Sequence, residues 1–140
     1  PDPASEIAIL KDRQGANPLN DVKQVVDGKD IVMMQAETDN LHMDDAIIEY
    51  ITMLSFATRQ NPLIELGVSP RGSIALAGMS KARAYISGRT YVTPEDVQSI
   101  FKDVAGHRII LNPRAKISSV TIDEVINNIF RTVPVPRAMR

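Results

Sequence analysis

The sequence has no cysteine and no tryptophan. The first absence excludes a disulfide framework, a thiolate metal site and a cysteine nucleophile, and it fits a cytoplasmic protein. Three Tyr and three Phe are the whole aromatic complement, too few for an evident stacking platform for single-stranded nucleic acid. Neither sign of charge dominates. Sixteen Lys and Arg face seventeen Asp and Glu, a net charge of −1, so there is no global electrostatic case for nucleic acid or an anionic membrane. No apolar run approaches the ~20 residues that span a bilayer, and no signal peptide is visible.

Catalytic signatures are missing as well. Gly28-Lys29-Asp30 looks like the end of a phosphate loop, but it lacks the upstream glycine and the Ser or Thr after the lysine. There is no His-Glu-x-x-His helix and no Gly-x-Ser-x-Gly elbow. The two histidines, His42 and His107, lie far apart in sequence, and no metal site is expected. Asp44-Asp45 reads as a helix start before it reads as a catalytic pair. By itself the chain is expected to run no reaction. It begins at Pro1 without an initiator Met, which suggests a piece of a longer protein.

What is present is a chain of 140 residues with 44% apolar and 24% charged residues, ordinary values for one globular domain. Asp2 or Ser5 caps a first helix that Gly15 and Asn17-Pro18 end. Residues 19–26 read as extended or irregular. Asp27 caps a second helix with Ile31 and Met34 inward. Leu41-His42-Met43 is a short link or strand. Asp44 or Asp45 then starts the third and longest helix, with Ile47, Ile51, Leu54 and Thr58 at helical spacing. A fourth runs from about Ser69 to Ser87 with Gly88 as its C-cap glycine. Its inward stripe is read as Ile74, Ala75, Gly78, Met79, Ala82 and Ile86. Thr93-Pro94-Glu95-Asp96 is the clearest start signal in the chain. His107 to Leu111 reads as a short strand pairing near His42, and residues 112–116 as a loop. Thr121 caps a last helix before Pro134 and Pro136. The expected fold is all-α: five or six helices with at most a short two-stranded ribbon. N-terminal helices or a link from a missing core would occupy residues 1–40, the helical domain 41–132, and a loose tail 133–140.

The chain is organised around Leu66-Gly67-Val68-Ser69-Pro70-Arg71-Gly72-Ser73. Ser69 is a good N-cap, because its hydroxyl can accept from an unpaired first-turn amide. Pro70 suits the next position, where its missing N–H costs nothing. Arg71 then sits at the positive end of the helix dipole, mildly unfavourable by roughly 0.3–1 kcal/mol, and no first-turn carboxylate offsets it. Two readings stand: an arginine in water, or a helix start prepared for an anion, of which phosphate is the usual one.

That stretch, followed by Gly88-Arg89-Thr90-Tyr91-Val92-Thr93-Pro94-Glu95-Asp96-Val97 and then His107-Arg108-Ile109, closely resembles the C-terminal lid of MoxR-family AAA+ ATPases. Tyr50 to Leu54 and Thr58-Arg59 resemble that family's third lid segment, so the likeness covers at least residues 41–111. Gly72 departs from it, since the family more often has Ala there; the expected effect is a slightly looser first turn. The resemblance implies that the lid folds over ATP and Mg²⁺ held by a preceding P-loop core. Arg71 matches the sensor 2 arginine that contacts the phosphates. Gly67, Ser69 and Pro70 would shape the turn that aims it, and Leu66 and Val68 would approach the adenine. His107 and Arg108 take a structural or subunit-contact role. Arg59 has two readings, packing near the hinge (preferred) or contact with a neighbouring subunit. The resemblance also implies a hexameric ring and a role in remodelling or maturing protein complexes, with partners that bear von Willebrand A domains. The full-length protein would hydrolyse ATP; this fragment would not, and would hold no nucleotide tightly. The rival reading is a stand-alone helical module for protein or nucleic acid, using Lys81, Arg83, Arg89 and Arg108 as a basic face.

Overall fold

A computed structural model describes residues 2–14 and 17–136, Pro18 by its backbone alone. The expected role of Gly15 and the end of the expected tail, residues 137–140, lie outside the described residues. The chain divides into two compact units between Met34 and Gln35.

In the first unit, α1 (Pro3–Asp12) starts where Asp2 accepts from the Ser5 amide at 2.7 Å, and Pro3 takes the first helical position. A 3₁₀ turn (Pro18–Asp21) follows, and residues 22–27 have no regular structure. Asp27 caps α2 (Gly28–Asp39), whose residues from Gln35 on belong to the second unit, by accepting from the amides of Lys29 and Asp30 at 2.7 and 2.9 Å. The expectation that Ile31 faces inward fails. Ile31 and Met33 are exposed, and α2 buries none of its side chains.

The second unit is built on α3 (Asp45–Gln60), capped by Asp44, which accepts from the Ala46 amide at 2.8 Å. Its stripe Ile47, Ile51, Leu54 and Thr58 is buried as the spacing predicts, together with Tyr50 and Ser55. Against it pack β1 (Ile64–Leu66), α4 (Pro70–Ile86), α5 (Pro94–Ala105) and α7 (Ile122–Thr132). Leu54, Leu76, Val97, Phe101, Val125 and Ile129 form the centre of the core, and Phe101 meets Phe130 edge to face at 5.4 Å. Burying side chains of this size contributes about 1.5–3 kcal/mol each. Val133 belongs to this core as well. Thr121 and Glu124 cap α7 reciprocally: the Thr121 hydroxyl accepts from the Glu124 amide (3.2 Å), and the Glu124 carboxylate accepts from the Thr121 amide (2.8 Å).

Four sequence expectations change. β2 (Ile110–Leu111) pairs antiparallel with β1, Ile64 opposite Leu111 and Leu66 opposite Ile110, not with the link at His42. That link is already occupied: the His42 amide donates to Thr90 and the His42 carbonyl accepts from Val92, a parallel bridge. His107 and Arg108 lie in a 3₁₀ turn (Gly106–Arg108), not in a strand. Residues 112–116 are not a loop, because Asn112 caps a short helix, α6 (Pro113–Ile117), by accepting from the Ala115 amide at 3.0 Å. Finally, α4 is one residue longer than α3 and turns a different face inward. Gly72, Leu76, Ser80 and Ala84 are buried, whereas Ile74, Met79 and Ile86 are exposed. Spacing of four puts the buried set on one face. Ser80 is tolerated there because its hydroxyl donates to the Leu76 carbonyl at 2.8 Å. The described residues thus hold seven α-helices and one two-stranded ribbon.

Gly88, at φ +71, closes α4 as expected, and Arg89 follows it. Arg89 is not a solvated charge. Its guanidinium grips the carboxylate of Asp96 with two donors and also donates to the Tyr91 carbonyl at 3.1 Å. Asp96 is almost fully buried and accepts further from the Thr93 amide (2.9 Å) and hydroxyl (3.2 Å). Burial alone would push the Asp96 carboxyl up, but Arg89 and the Thr93 amide outweigh it and hold it below the usual carboxylate range. Loss of one partner from such a pair leaves a group unmatched, and Arg89 is partly exposed, so Asp96→Asn is expected to cost about 1–3 kcal/mol in denaturant unfolding. The pH dependence follows from the depressed folded pKa. The stabilisation is present above the unfolded value of about 4 and is lost as pH falls through the folded one. Melting temperature should therefore drop on the acid side of about pH 4, and the drop should be shallower in Asp96→Asn. An identical acid limb in both proteins would contradict this role for the pair.

Candidate functional site

The site is assembled from the last turn of α3 upward. Thr58 is fully buried. Its hydroxyl donates to the Ser55 carbonyl at 2.6 Å and accepts from the Val68 amide at 2.8 Å. One side chain thereby ties the last turn of α3 to the loop that precedes α4. Ser73, one turn into α4, donates to the hydroxyl of buried Ser55 at 2.9 Å. The two hydroxyl bridges fix both sides of the α4 start against α3.

Gly67 makes the approach possible. A Cβ there would lie 2.8 Å from the carbonyl carbon and oxygen of Thr58 and from the Arg59 amide nitrogen. These are backbone atoms and cannot swing aside, so only glycine fits. Val68 then drops into the core, 1% exposed. Ser69 caps α4 as expected, although its hydroxyl lies a long 3.4 Å from the Gly72 amide. Pro70 takes the first helical position, and the Ser73 amide donates to the Ser69 carbonyl at 3.1 Å.

Arg71 follows on the exposed side. The first turn of α4 holds no acidic residue, and among the described residues Arg71 forms no ion pair. Its guanidinium is held beside a helix N-terminus with nothing to neutralise it. Three other cations have defined partners. Arg89 holds Asp96, Lys102 pairs with Asp123 at 2.7 Å, and Lys81 donates to the Asp39 carbonyl at 2.7 Å.

Neighbouring residues take supporting positions. Gly72 is buried, and a Cβ there would meet the Val68 side chain at 2.6 Å and the Arg108 Cδ at 3.5 Å. In this chain its absence of a side chain is therefore a packing requirement. The Arg108 stem runs past the first turn of α4, and its guanidinium donates to the Val104 carbonyl and meets the His107 ring. Arg59 lies over the Phe56 ring, 5.5 Å from its centre, a cation–π contact that matches the packing reading. Leu66, on β1, is half exposed.

The structure thus brings Gly67, Val68, Ser69, Pro70 and Arg71 together as one anchored turn. The spacing places Thr58 in the α3 stripe but not its bond to Val68, and it gives Ser55 and Ser73 no role. A hydroxyl residue inside an otherwise aliphatic buried stripe is the available signal, since buried hydroxyls need partners. Among the described residues no three His, Asp or Glu side chains converge to hold a metal ion.

Residues 56–129 match the AAA lid domain family. The uncharacterised protein YeaC of Bacillus subtilis is 36% identical over 131 residues, covering 94% of this chain and 41% of its own length. The chaperone MoxR1 of Mycobacterium tuberculosis is 30% identical over 146 aligned positions, 98% of this chain and 38% of its own. A crystal structure of a candidate ATPase from Cytophaga hutchinsonii superposes with a TM-score of 0.83 at 28% identity, over 97% of this chain and 44% of that one. The chain spans about two fifths of the length of the curated relatives it matches.

The anchor can be tested directly. Thr58→Val is nearly isosteric but leaves the buried Val68 amide without a partner, so it is expected to cost about 1–3 kcal/mol in denaturant unfolding. Thr58→Ser keeps the hydroxyl and should cost about 1 kcal/mol, the value of one buried methyl. Equal losses from the two substitutions would show that the hydroxyl does not carry the anchor.

Proposed function

Because the chain belongs to the AAA lid domain family, we propose that it closes over ATP bound to a P-loop core of the same full-length protein, with Arg71 as the sensor 2 contact to the phosphates. The observation that carries this is the position of Arg71: an unpaired guanidinium at the N-terminus of a 17-residue helix, aimed by a loop bolted to α3. The residues fit a nucleotide phosphate. The helix end carries a partial positive charge, and the Arg71 amide lies in its first turn. A charge-assisted bond from Arg71 adds about 1.5–3 kcal/mol. Such a bond strengthens as charge develops on the γ-phosphate, which is how a positioned cation accelerates phosphoryl transfer. Gly67, Ser69 and Pro70 would set the direction of the turn, and Leu66 would meet the adenine ring; Val68, buried in the core, would not. The Walker lysine, the acid that holds Mg²⁺ and the catalytic base would come from the core.

The same rigid attachment gives the lid a mechanical role. A helix pinned by Thr58 and Ser55 cannot follow a phosphate without moving α3 with it, so loss of the γ-phosphate changes the angle of the whole lid. In a ring, proposed to be hexameric, that motion would act on neighbouring subunits and on protein clients, including those with von Willebrand A domains. MoxR1 is named a chaperone, which supports remodelling or maturation of protein complexes as the output. No helix among the described residues is long and apolar enough to cross a membrane, and the proposed location is cytoplasmic. Of the rival basic face, Lys81, Arg89 and Arg108 are engaged within the chain, which leaves Arg83.

In the full-length protein, Arg71→Ala is expected to lower ATP turnover about 100-fold, in line with removal of one positioned transition-state donor. Unfolding free energy of the chain should stay within about 0.5 kcal/mol of the parent, because Arg71 is an exposed residue without partners. Unchanged turnover would overturn the assignment, and so would loss of the fold.

A further inference from the structure

We propose that Arg108 is a second cation of the phosphate site, a positioning residue that attracts the polyphosphate of ATP by its fixed charge without touching it. The inference rests on the reading of Arg71 as the phosphate contact and adds a residue to that site.

The placement comes first. Arg108 lies in the 3₁₀ turn that follows α5, and α5 packs on α4. Its Cδ runs 3.5 Å from where a Cβ of Gly72 would stand. Gly72 is the residue after Arg71 and is buried in the first turn of α4. The guanidinium is joined directly to Cδ, so the Arg108 charge begins beside the turn that presents Arg71. Its head group is tied down as well: Nη1 donates to the Val104 carbonyl and to the His107 ring. The other ring nitrogen, Nδ1, lies 3.2 Å from the Asp103 carbonyl and carries the ring proton there. An arginine held at both stem and head is a fixed charge.

That charge is not neutralised. Its two acceptors, a carbonyl and a neutral imidazole, are uncharged, and among the described residues Arg108 forms no ion pair. The carbonyl end of α5 offsets roughly half an elementary charge at most. Arg71 has no ion pair either, and no acid stands in the first turn of α4. Two uncompensated guanidiniums and the positive end of a helix dipole thus meet at one turn. Arg89 shows the alternative within the same chain, its charge matched by the buried carboxylate of Asp96. Like charges gathered without a counter-charge repel, and a bound anion relieves that repulsion. One cation at a helix start suits a singly charged anion. Two suit a ligand of several negative charges, a polyphosphate.

The two arginines would act on different kinetic constants. A charge that does not touch the reacting atoms stabilises bound ATP and the transition state nearly alike, so it lowers KM and leaves kcat. Arg71, in contact with the phosphates, acts on kcat.

In the full-length protein, Arg108→Met keeps an unbranched stem beside Gly72 and removes the charge. It is expected to raise KM for ATP about 10-fold, the effect of a unit charge about 12 Å away at an effective dielectric of about 20, while kcat changes less than about threefold. Arg108→Lys keeps the charge and a donor, and both constants should stay within about threefold of the parent. Added KCl should raise the KM of the parent more steeply than that of Arg108→Met, because salt screens the charge; a packing role alone would leave the two slopes equal. Should Arg108→Met fail to fold, Arg108→Gln, which keeps a neutral donor for the Val104 carbonyl, replaces it in the same comparison. Equal KM values for the parent and the uncharged variant would overturn the proposal, and so would Arg108→Lys as impaired as that variant. If the lid reading itself fails, Arg71→Ala leaves turnover unchanged. If only this inference fails, Arg71→Ala slows turnover while loss of the Arg108 charge leaves KM as in the parent.

Discussion

The arrangement of this chain depends on one buried hydroxyl. Thr58 sits at the last turn of α3 and holds the Val68 amide, ten residues further on, with a 2.8 Å hydrogen bond. The bond is modest in isolation, about 1 kcal/mol net. Its importance is geometric. Gly67 lets the loop touch the α3 backbone, Val68 fills the core beneath, and Ser73 closes the other side onto Ser55. Nothing in that sequence of contacts is adjustable by more than a few tenths of an ångström in a close-packed interior. The direction in which α4 begins, and with it the position of Arg71, follows from α3.

Two arginines of this domain show how the same chemistry serves opposite ends. Arg89 finds a buried carboxylate and stitches the link before α5 to that helix's first turn. Arg71 finds no partner, although its place at a helix N-terminus is electrostatically unfavourable. Native sequences satisfy their local rules except where function requires otherwise. On the proposed reading the unmatched arginine would receive an anion, and the rigid anchor behind it would turn that contact into a displacement of the lid.

Much of this was legible because helix caps are local. Asp44, Ser69, Thr93 and Thr121 each announce a helix start within four residues of sequence, and each start stands where it was read. The turn bearing Arg71 belongs to the same class. What escaped is what depends on distant partners or on size. The α4 stripe of mainly small residues expected at Ile74, Ala75, Gly78, Met79, Ala82 and Ile86 lies on the wrong face: the helix buries Gly72, Leu76, Ser80 and Ala84 instead, and a repeat of small residues does not by itself fix which face turns inward. Two-residue β2 carries too little pattern to reveal its partner. Asn112-Pro113 has the same start signature as Ser69-Pro70, but α6 is only five residues long and shows no apolar period. Arg89 and Asp96 are joined across a loop, and Thr58 and Val68 across a turn and a strand. Neither pair can be inferred from spacing along one helix.

The central claim is that the Thr58 anchor acts on phosphate chemistry through Arg71. A double-mutant cycle in the full-length protein, read as ATP turnover with Thr58→Val and Arg71→Ala, tests it most directly. If the anchor works by aiming Arg71, Thr58→Val slows turnover in the parent and has no further effect once Arg71 is Ala. If the two losses instead multiply, Thr58 and Arg71 act independently, and the account of the site is wrong.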